Sequence, residues 1–577
     1  MTQQWRRGVL AEYMGTCIRA PLHELFLKES LALGLSVYTN QAYGDLLDCV
    51  SEHGEHAERV HCDICATSIS NLFYTCEKCH HDVCIDCRAS QDRYVCHGKP
   101  LAARRLWETE AIRNISSQTF LDRISHHHDH DELKGHDCHC RVCNVVNAIS
   151  ITVTGVGMSG DRVMRMWGIQ LRVADVRLAT WISSDCDDMH SIFSPHISSL
   201  QENHPDFVEY MALFMRHWID RRPVIVRGVR GQLSWSPEAL FENIQEPILV
   251  QEDGPSGRRT AVMGACNFIK HYNGQFVSAS HWRRARSKQA SNKNKNYEYK
   301  VRDWPESRCF AEVLPDHLLD YMSMLPLRHM YTGIDGASLN MATKFPEWSN
   351  KPDLGPKLYI ATGHVESHDE GDSVTVLHED LCDAVNTLVH MGGPQMDITV
   401  TPREPSTVAK LGSSYNGAGA VWNIWACQPG VKKVLCDYLL SAYPATADNG
   451  HPIYNRLSYV SSADLISMAS VAEGAITPWH FEQYLDEAVF IPAGCPHQVR
   501  NLTSCVKVAS DFLSPEGLCN VMGMAGDFRD LALQDTDKNT SPTERFFADK
   551  MQASLAILGA AMDCHDALIV GEIPSMS

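Results

Sequence analysis

Apolar positions recur at helical spacing in "ELFLKESLALGL", so residues 1 to about 60 are expected to be helical. Between about 151 and 195 the pattern changes to alternation, as in "AISITVTGVG" and "IQLRVADVRL", which predicts short strands. At "HPDFVEYMALFMRHWIDRRPVIVRGV" an amphipathic helix leads into the strand "PVIVRGV". Short alternating runs separated by turn residues then continue to about residue 515. So many short strands predict a β-sandwich or jelly roll decorated with helices. Two stretches interrupt it. "HWRRARSKQASNKNKNYEYK", His281 to Lys300, is basic and Asn-rich, the composition of a solvated loop or a nuclear-import patch. "GGPQMDITVTPREPSTVAKLGSSYNGAG", Gly392 to Gly419, reads as a surface insertion between strands.

The chain has 577 residues, 44% hydrophobic and 21% charged, which suits a globular protein of more than one domain. A net charge of -19 argues against gripping phosphate backbones by bulk electrostatics and suits a basic peptide as partner. The first thirty residues lack an apolar core followed by a small-residue cleavage site, and no run approaches the roughly 18 apolar residues of a membrane span. An intracellular, reducing setting is therefore expected, in which clustered thiols bind metal rather than form disulfides.

Of 22 cysteines, ten fall between Cys62 and Cys143. "HCDICATSISNLFYTCEKCHHDVCIDC" holds three C-x-x-C pairs, Cys62/Cys65, Cys76/Cys79 and Cys84/Cys87, with Cys96 and His97 beyond. Each pair lets two thiolates meet one tetrahedral zinc from a tight turn. An interleaved arrangement is expected, the first and third pairs sharing one zinc while the second recruits ligands such as Cys96 or His97. Such a segment buries too little apolar surface to fold alone, so metal supplies its folding energy. A second cluster, "SHHHDHDELKGHDCHCRVC", is either a further zinc site or a polar linker, and its spacing leaves the fourth ligand unspecified.

"SVTVLHEDLCDAVNTLVH" places His378, Glu379 and Asp380 side by side in a stretch otherwise fit for a buried strand. Residues two apart on a strand share a face, so His378 and Asp380 can reach one ion while Glu379 points outward. A bare H-x-D recurs by chance and needs a third ligand. In "EAVFIPAGCPHQVRNLTSCVKVASDFLSPE" the run from Ala488 to Ile491 is a strand, Pro492 to Pro496 a turn, and His497 opens the next strand. His378, Asp380 and His497 then form a 2-His-1-carboxylate set, the donor pattern of non-haem Fe(II) with open positions. No Ser-His-Asp or Cys-His arrangement stands out.

"KPDLGPKLYIATG", "GDSVTVLHEDLCDAVNTLVH", "GAVWNIW" and the His497 stretch resemble the JmjC domain of the lysine-specific demethylase 3 family, in particular its plant branch. The resemblance extends to "RHWIDRRPVIVRG", "LNMATKFPE" and the knuckles at 62 to 87, covering most of residues 60 to 530. It implies a double-stranded β-helix, jelly-roll and cupin-like, preceded by a small RING-like zinc segment. It further implies a nuclear chromatin regulator that binds Fe(II) and 2-oxoglutarate and demethylates mono- and dimethylated lysine 9 of histone H3. His378, Asp380 and His497 fall on the iron ligands. Thr375 resembles a hydroxyl aimed at the 2-oxoglutarate carboxylate, and Asn386 a pocket asparagine. Lys507, ten residues after His497, takes the place of the cation for the distal carboxylate, which would be costly to bury unpaired. Tyr359 is a further pocket candidate. The chain departs from the family at Glu379, where relatives carry a small or thiol residue, and at Cys382, where they carry serine.

The expected division is a helical segment over 1–60, a zinc segment over 61–100, a linker with the second Cys/His cluster over 101–195, the catalytic domain over 196–540 and a helical tail over 541–577. The expected partners are the histone H3 tail or nucleosome and chromatin-associated proteins, with no membrane and no sequence-specific DNA reading. Two other readings use the same residues: a JmjC hydroxylase acting on a non-histone protein, and a catalytically silent zinc-finger scaffold on chromatin.

Overall fold

The computed structural model describes most of residues 192–275, 298–363, 373–392, 417–444, 451–471, 476–534 and 551–569, with parts of 14–28 and 62–105. The remaining segments, including the second Cys/His cluster, most of the basic stretch and residues 393–416 of the insertion, lie outside the described residues.

A small antiparallel unit comes first, with β1 (Leu72–Thr75) between β2 (Asp82–Cys84) and β5 (Ala102–Arg105). A two-stranded ribbon of β3 (Val95–Cys96) and β4 (Lys99–Pro100) and the short helix α1 (Ile85–Ala89) complete it. The rest is built on two larger sheets. One has eight strands: β6 (Val224–Arg227), β7 (Ile248–Gly254), β8 (Gly257–Met263), β9 (Glu298–Trp304), β10 (Lys357–Ala361), β12 (Asp383–Gly392), β15 (Glu487–Ile491) and β17 (Ser504–Phe512), in the order β6-β15-β12-β17-β10-β9-β7-β8. The other has four: β11 (Val374–His378), β13 (Ala420–Ile424), β14 (Trp479–Gln483) and β16 (His497–Asn501), in the order β11-β16-β13-β14. This is the mainly antiparallel architecture expected from the alternation, and the cupin-like fold that the resemblance implies.

The period of two decides what each face of the large sheet meets. On β17, Val506, Val508 and Phe512 are fully buried beneath helices, while Cys505, Lys507, Ala509 and Asp511 line a cavity between the two sheets. The cover comes from α2 (Phe207–Ile219), where Phe207, Met211, Phe214 and Trp218 recur at helical spacing on one buried stripe. Phe214 meets Phe490 edge-on at 5.4 Å and Trp218 stacks on Phe512 at 5.7 Å. Between the sheets, Trp422, Ile424, Phe481, Val489, Ile491 and Val499 pack as a second core beside the cavity. Two further helices matter below: α3 (Pro429–Ala442) and α4 (Leu518–Gln534). Among the described residues no helix is long and apolar enough to cross a membrane.

Candidate metal centre and its cavity

His378 closes β11 and His497 opens β16, and the two are direct partners across the antiparallel ladder. Their rings lie 4.2 Å apart. The His378 Nδ1 sits 2.8 Å from the Val376 carbonyl and the His497 Nδ1 2.9 Å from the Cys495 carbonyl. A carbonyl only accepts, so each Nδ1 carries the proton and each Nε2 keeps a lone pair. Both free nitrogens face Asp380: His378 Nε2 is 3.7 Å from Oδ1 and His497 Nε2 is 3.5 Å from Oδ2. The three residues' ligand atoms all lie within 4.8 Å of one another. Burial, and after it the neighbouring His497, pulls the His378 pKa down to about 3, which keeps it in the neutral form that binds metal. Burial works against the charge on Asp380, but His378, His497, Arg456 and Arg302 together hold its pKa below the ordinary value.

The strand-parity expectation needs two amendments. β11 ends at His378, so Asp380 lies in the turn that follows rather than on the strand. It is held there from across the site, because the Gly494 amide donates to the Asp380 carbonyl at 3.1 Å. Gly494 has φ +73°, a left-handed conformation that favours glycine in the turn carrying His497. Glu379 points away from the triad as expected, but not outward to solvent. Its side chain is fully buried and paired with Lys432 Nζ of α3 at 2.7 Å. Burial raises its pKa to about 7 against the pull of Lys432.

The triad borders a cavity of about 750 Å³ that Thr375, Tyr359, Asn386 and Lys507 also line. Lys507 is buried, its Nζ donating to Asn501 Oδ1 at 2.9 Å and lying 5.4 Å from the centre of the Trp422 ring. Burial lowers its pKa, and among the described residues no carboxylate is paired with it. The Asn386 Oδ1 is buried without a hydrogen-bond partner. A buried cation lacking an anion, beside two histidines and a carboxylate, fits a dianionic ligand next to a divalent metal. Tyr359 stands directly opposite Lys507 on β10, and its hydroxyl donates to Asp303 at 2.7 Å. Asp511 also lines the cavity, burial and then Asp380 raising its pKa to about 8.

Cys62, Cys65, Cys84 and Cys87 form the other metal-competent group, all four buried. The Cys65 and Cys84 sulfurs are 3.7 Å apart, against about 3.8 Å for the edge of a tetrahedron of 2.3 Å Zn–S bonds. The two turns are laced together: Asp63 N donates to the Asp82 carbonyl at 2.8 Å and Asp82 N to Asp63 Oδ2 at 2.7 Å. This brings the first and third pairs together as the interleaved spacing expects. Cys76 is buried and Cys79 exposed, and neither joins a metal-competent group among the described residues. The side chain of Cys96, and His97 altogether, lie outside the described residues.

Sequence reading missed several residues that shape the centre. Asp383, at the start of β12, accepts from Arg221, from Ala493 N at 2.8 Å and from Ser514 N and Oγ at 2.9 and 2.6 Å. It thereby ties the turn before His497 to α2 and the end of β17. Asn501 on β16 and Trp422 on β13 cradle Lys507.

A match to the JmjC domain family, described as a hydroxylase, covers residues 424–512 and so includes His497 and Lys507. The chain carries a JmjC domain. The match begins after β11 and β12, which carry His378 and Asn386, and after the turn between them that carries Asp380. Lysine-specific demethylase JMJ29 of Arabidopsis thaliana is 28% identical over 587 residues, covering 87% of the chain and 62% of that protein. Lysine-specific demethylase JMJ26 of the same plant is 29% identical over 546 residues, 82% of the chain and 60% of that protein. Human lysine-specific demethylase 3A is 29% identical over 369 residues, 61% of the chain and 26% of that protein. The chain thus spans about three fifths of the length of the two Arabidopsis relatives.

Proposed function

We propose that the protein is an Fe(II)- and 2-oxoglutarate-dependent demethylase of mono- and dimethylated lysine 9 of histone H3, acting in the nucleus. The observation that carries this reading is the juxtaposition of the triad, in one cavity, with a buried Lys507 that no carboxylate among the described residues pairs with. His378 Nε2, Asp380 and His497 Nε2 would hold the iron, and Lys507, with Thr375 and Asn386 near it, would receive the cosubstrate. When bound, these groups supply the oxidation: O₂ is consumed, 2-oxoglutarate leaves as succinate and CO₂, and one oxygen atom enters an N-methyl C–H bond. The hydroxymethyl amine then releases formaldehyde and a lysine shorter by one methyl group, with no side-chain nucleophile needed. The chain's part is to orient and to exclude water: Trp422 and the inter-sheet core close the deep side, and the paired β11 and β16 would hold the metal against the cavity.

Asp511 in the cavity lining supports a cationic side chain as substrate, although Lys357, paired with Asp353, and Arg302 line the same cavity, and the net charge of -19 supports a basic peptide. The names of the relatives support demethylation over the side-chain hydroxylation that the same fold also performs. Zinc held by Cys62, Cys65, Cys84 and Cys87 would be structural.

Methyl-state-resolved mass spectrometry of histone H3 peptides, with formaldehyde measured in parallel, tests the reading on wild type and His378→Ala. Loss of methyl groups with formaldehyde from wild type alone is expected. A gain of 16 mass units without formaldehyde would make the protein a hydroxylase. No peptide-dependent succinate from iron-loaded protein, with chromatin binding retained, would make it a scaffold.

A further inference from the structure

We propose that Lys432 is a positioning residue for the metal centre: by pairing with Glu379 it fixes the turn that sets Asp380 beside His378. This rests on the reading that the triad binds a ferrous ion. β11 is an edge strand of the four-stranded sheet, so the end that carries His378 has a ladder partner, β16, on one side only. The other support comes from α3 and the segment from Ile453 to Val460. The Leu377 amide donates to the Ser458 carbonyl at 2.9 Å. Leu377 itself is fully buried and packs in one cluster with Leu435 and Leu439 of α3.

Side chains from 377 to 380 alternate in what they meet. His378 and Asp380 bring their ligand atoms to the metal position, whereas Leu377 and Glu379 meet α3, the first by apolar packing and the second by a charge. Lys432 Nζ lies 2.7 Å from Glu379 Oε2, and the two side chains are 19% and 0% exposed, so water screens the pair little. The other oxygen, Oε1, is buried and makes no hydrogen bond among the described residues, which leaves Lys432 as the group that holds the carboxylate.

The helix that presents Lys432 is itself well placed. Pro429 opens it shortly after Trp425, whose amide donates at 2.8 Å to the Pro496 carbonyl beside His497 and whose Nε1 donates to the Ile476 carbonyl at 3.0 Å. Lys432 Nζ also lies 6.0 Å from the centre of the Tyr454 ring, and the Tyr454 hydroxyl donates to Asp527 of α4 at 2.8 Å. Asp527, another carboxylate of this neighbourhood, is thus already engaged. The small or thiol residue that the family resemblance puts at the place of Glu379 would need no counter-charge, so the pair is a feature of this chain.

The sign of the effect separates positioning from charge alone. Removing a cation near a divalent metal should by Coulomb's law tighten its binding, whereas leaving the buried Glu379 carboxylate uncompensated should displace the turn and weaken it. The test uses the full-length protein with the cysteine site filled by zinc, titrated with Mn(II) without O₂, free Mn(II) being counted by electron paramagnetic resonance. Thiolates favour zinc, while the nitrogen and oxygen donors of the triad accept Mn(II). Lys432→Met is expected to weaken Mn(II) binding about 10- to 100-fold, the scale for losing a group that supports a metal ligand, and Lys432→Arg to stay near wild type. The double variant Glu379→Cys/Lys432→Met, with no charge left to pair, should recover most of the loss. Unchanged or tighter binding in Lys432→Met overturns the assignment, as does a double variant no better than the single. Lys432→Gln, which keeps a donor for Glu379, takes the place of Lys432→Met if that variant does not fold, and the same outcomes decide. A wild type that binds no more Mn(II) than His378→Ala sinks the metal reading itself, a different result from either.

Discussion

Asp383 offers the sharpest test of how the metal centre is braced. Its side chain is fully buried and that of Arg221 nearly so, and the two are in direct contact. The Arg221 Nε and Nη1 are buried without hydrogen-bond partners, so this carboxylate is the main answer to its charge. Asp383→Asn would keep the shape, remove the charge and turn an amide N–H₂ toward groups that all donate. Breaking a buried pair from one side costs about 3–5 kcal/mol, a large part of a total stability of roughly 5–15 kcal/mol. Arg221→Met should cost somewhat less, because Asp383 keeps its bonds to Ala493 and Ser514.

The combination decides whether the charge is the cause. With both charges gone nothing is left uncompensated, so the double variant should lose less than the sum of the singles, by about 2–3 kcal/mol, the upper range of measured couplings. Urea unfolding followed by tryptophan fluorescence reads this, since Trp218, Trp422 and Trp425 are buried in the same domain. A loss below about 1 kcal/mol for Asp383→Asn, or strict additivity in the double variant, would refute the reasoning, given the expected scale of such a pair. Because Ala493 N is one of the donors, the surviving fraction of Asp383→Asn should also bind metal more weakly through a displaced His497.

Lys507→Met should raise the KM for 2-oxoglutarate about 30-fold or more, since a charge-assisted bond to the distal carboxylate is lost, with Lys507→Arg recovering part of it in steady-state kinetics. Asp511 has its pKa raised from 3.8 to about 8, so its carboxyl favours the native state below the ordinary value and ceases to do so as pH rises through about 8. A cationic peptide selects the ionised form, so affinity measured between pH 6.5 and 9 should rise through about 8 in wild type and lose that rise in Asp511→Asn. Cys84→Ser should release one zinc equivalent to a chromogenic chelator and expose the segment from Cys62 to Cys87 to proteolysis, as expected where metal supplies the folding energy.

What the sequence made legible follows from periodicity. Alternation assigned the strands that carry His378 and His497, and the thiol spacing brought together the four cysteines now within one group. Alternation says which side chains share a face but not what covers that face. Strand parity turns Glu379 away from the triad but says nothing of what it meets; Lys432, 53 residues on, comes from a helix laid over the turn. Asp383 reads as one more acid after Asp380, and its meaning depends on Arg221, 162 residues away. Arg456 had no signal at all, sitting in a loop placed by a tyrosine against another helix.

The cavity's polarity, by contrast, is written on a single strand. Cys505, Lys507, Ala509 and Asp511 share the inward face of β17, and at about 3.4 Å per residue Lys507 and Asp511 lie roughly 14 Å apart. The cation is at the buried end and the acid toward the rim, with His378, Asp380 and His497 facing them from the opposite sheet and its turn. A dianion drawn to Lys507 and a cation drawn to Asp511 would enter the same cavity and be sorted to opposite ends. Exchanging the two charges should therefore disorder both binding events at once, whereas either substitution alone disturbs only the ligand of its own end. That asymmetry separates a polar channel serving two reactants from a metal site that happens to border a cleft.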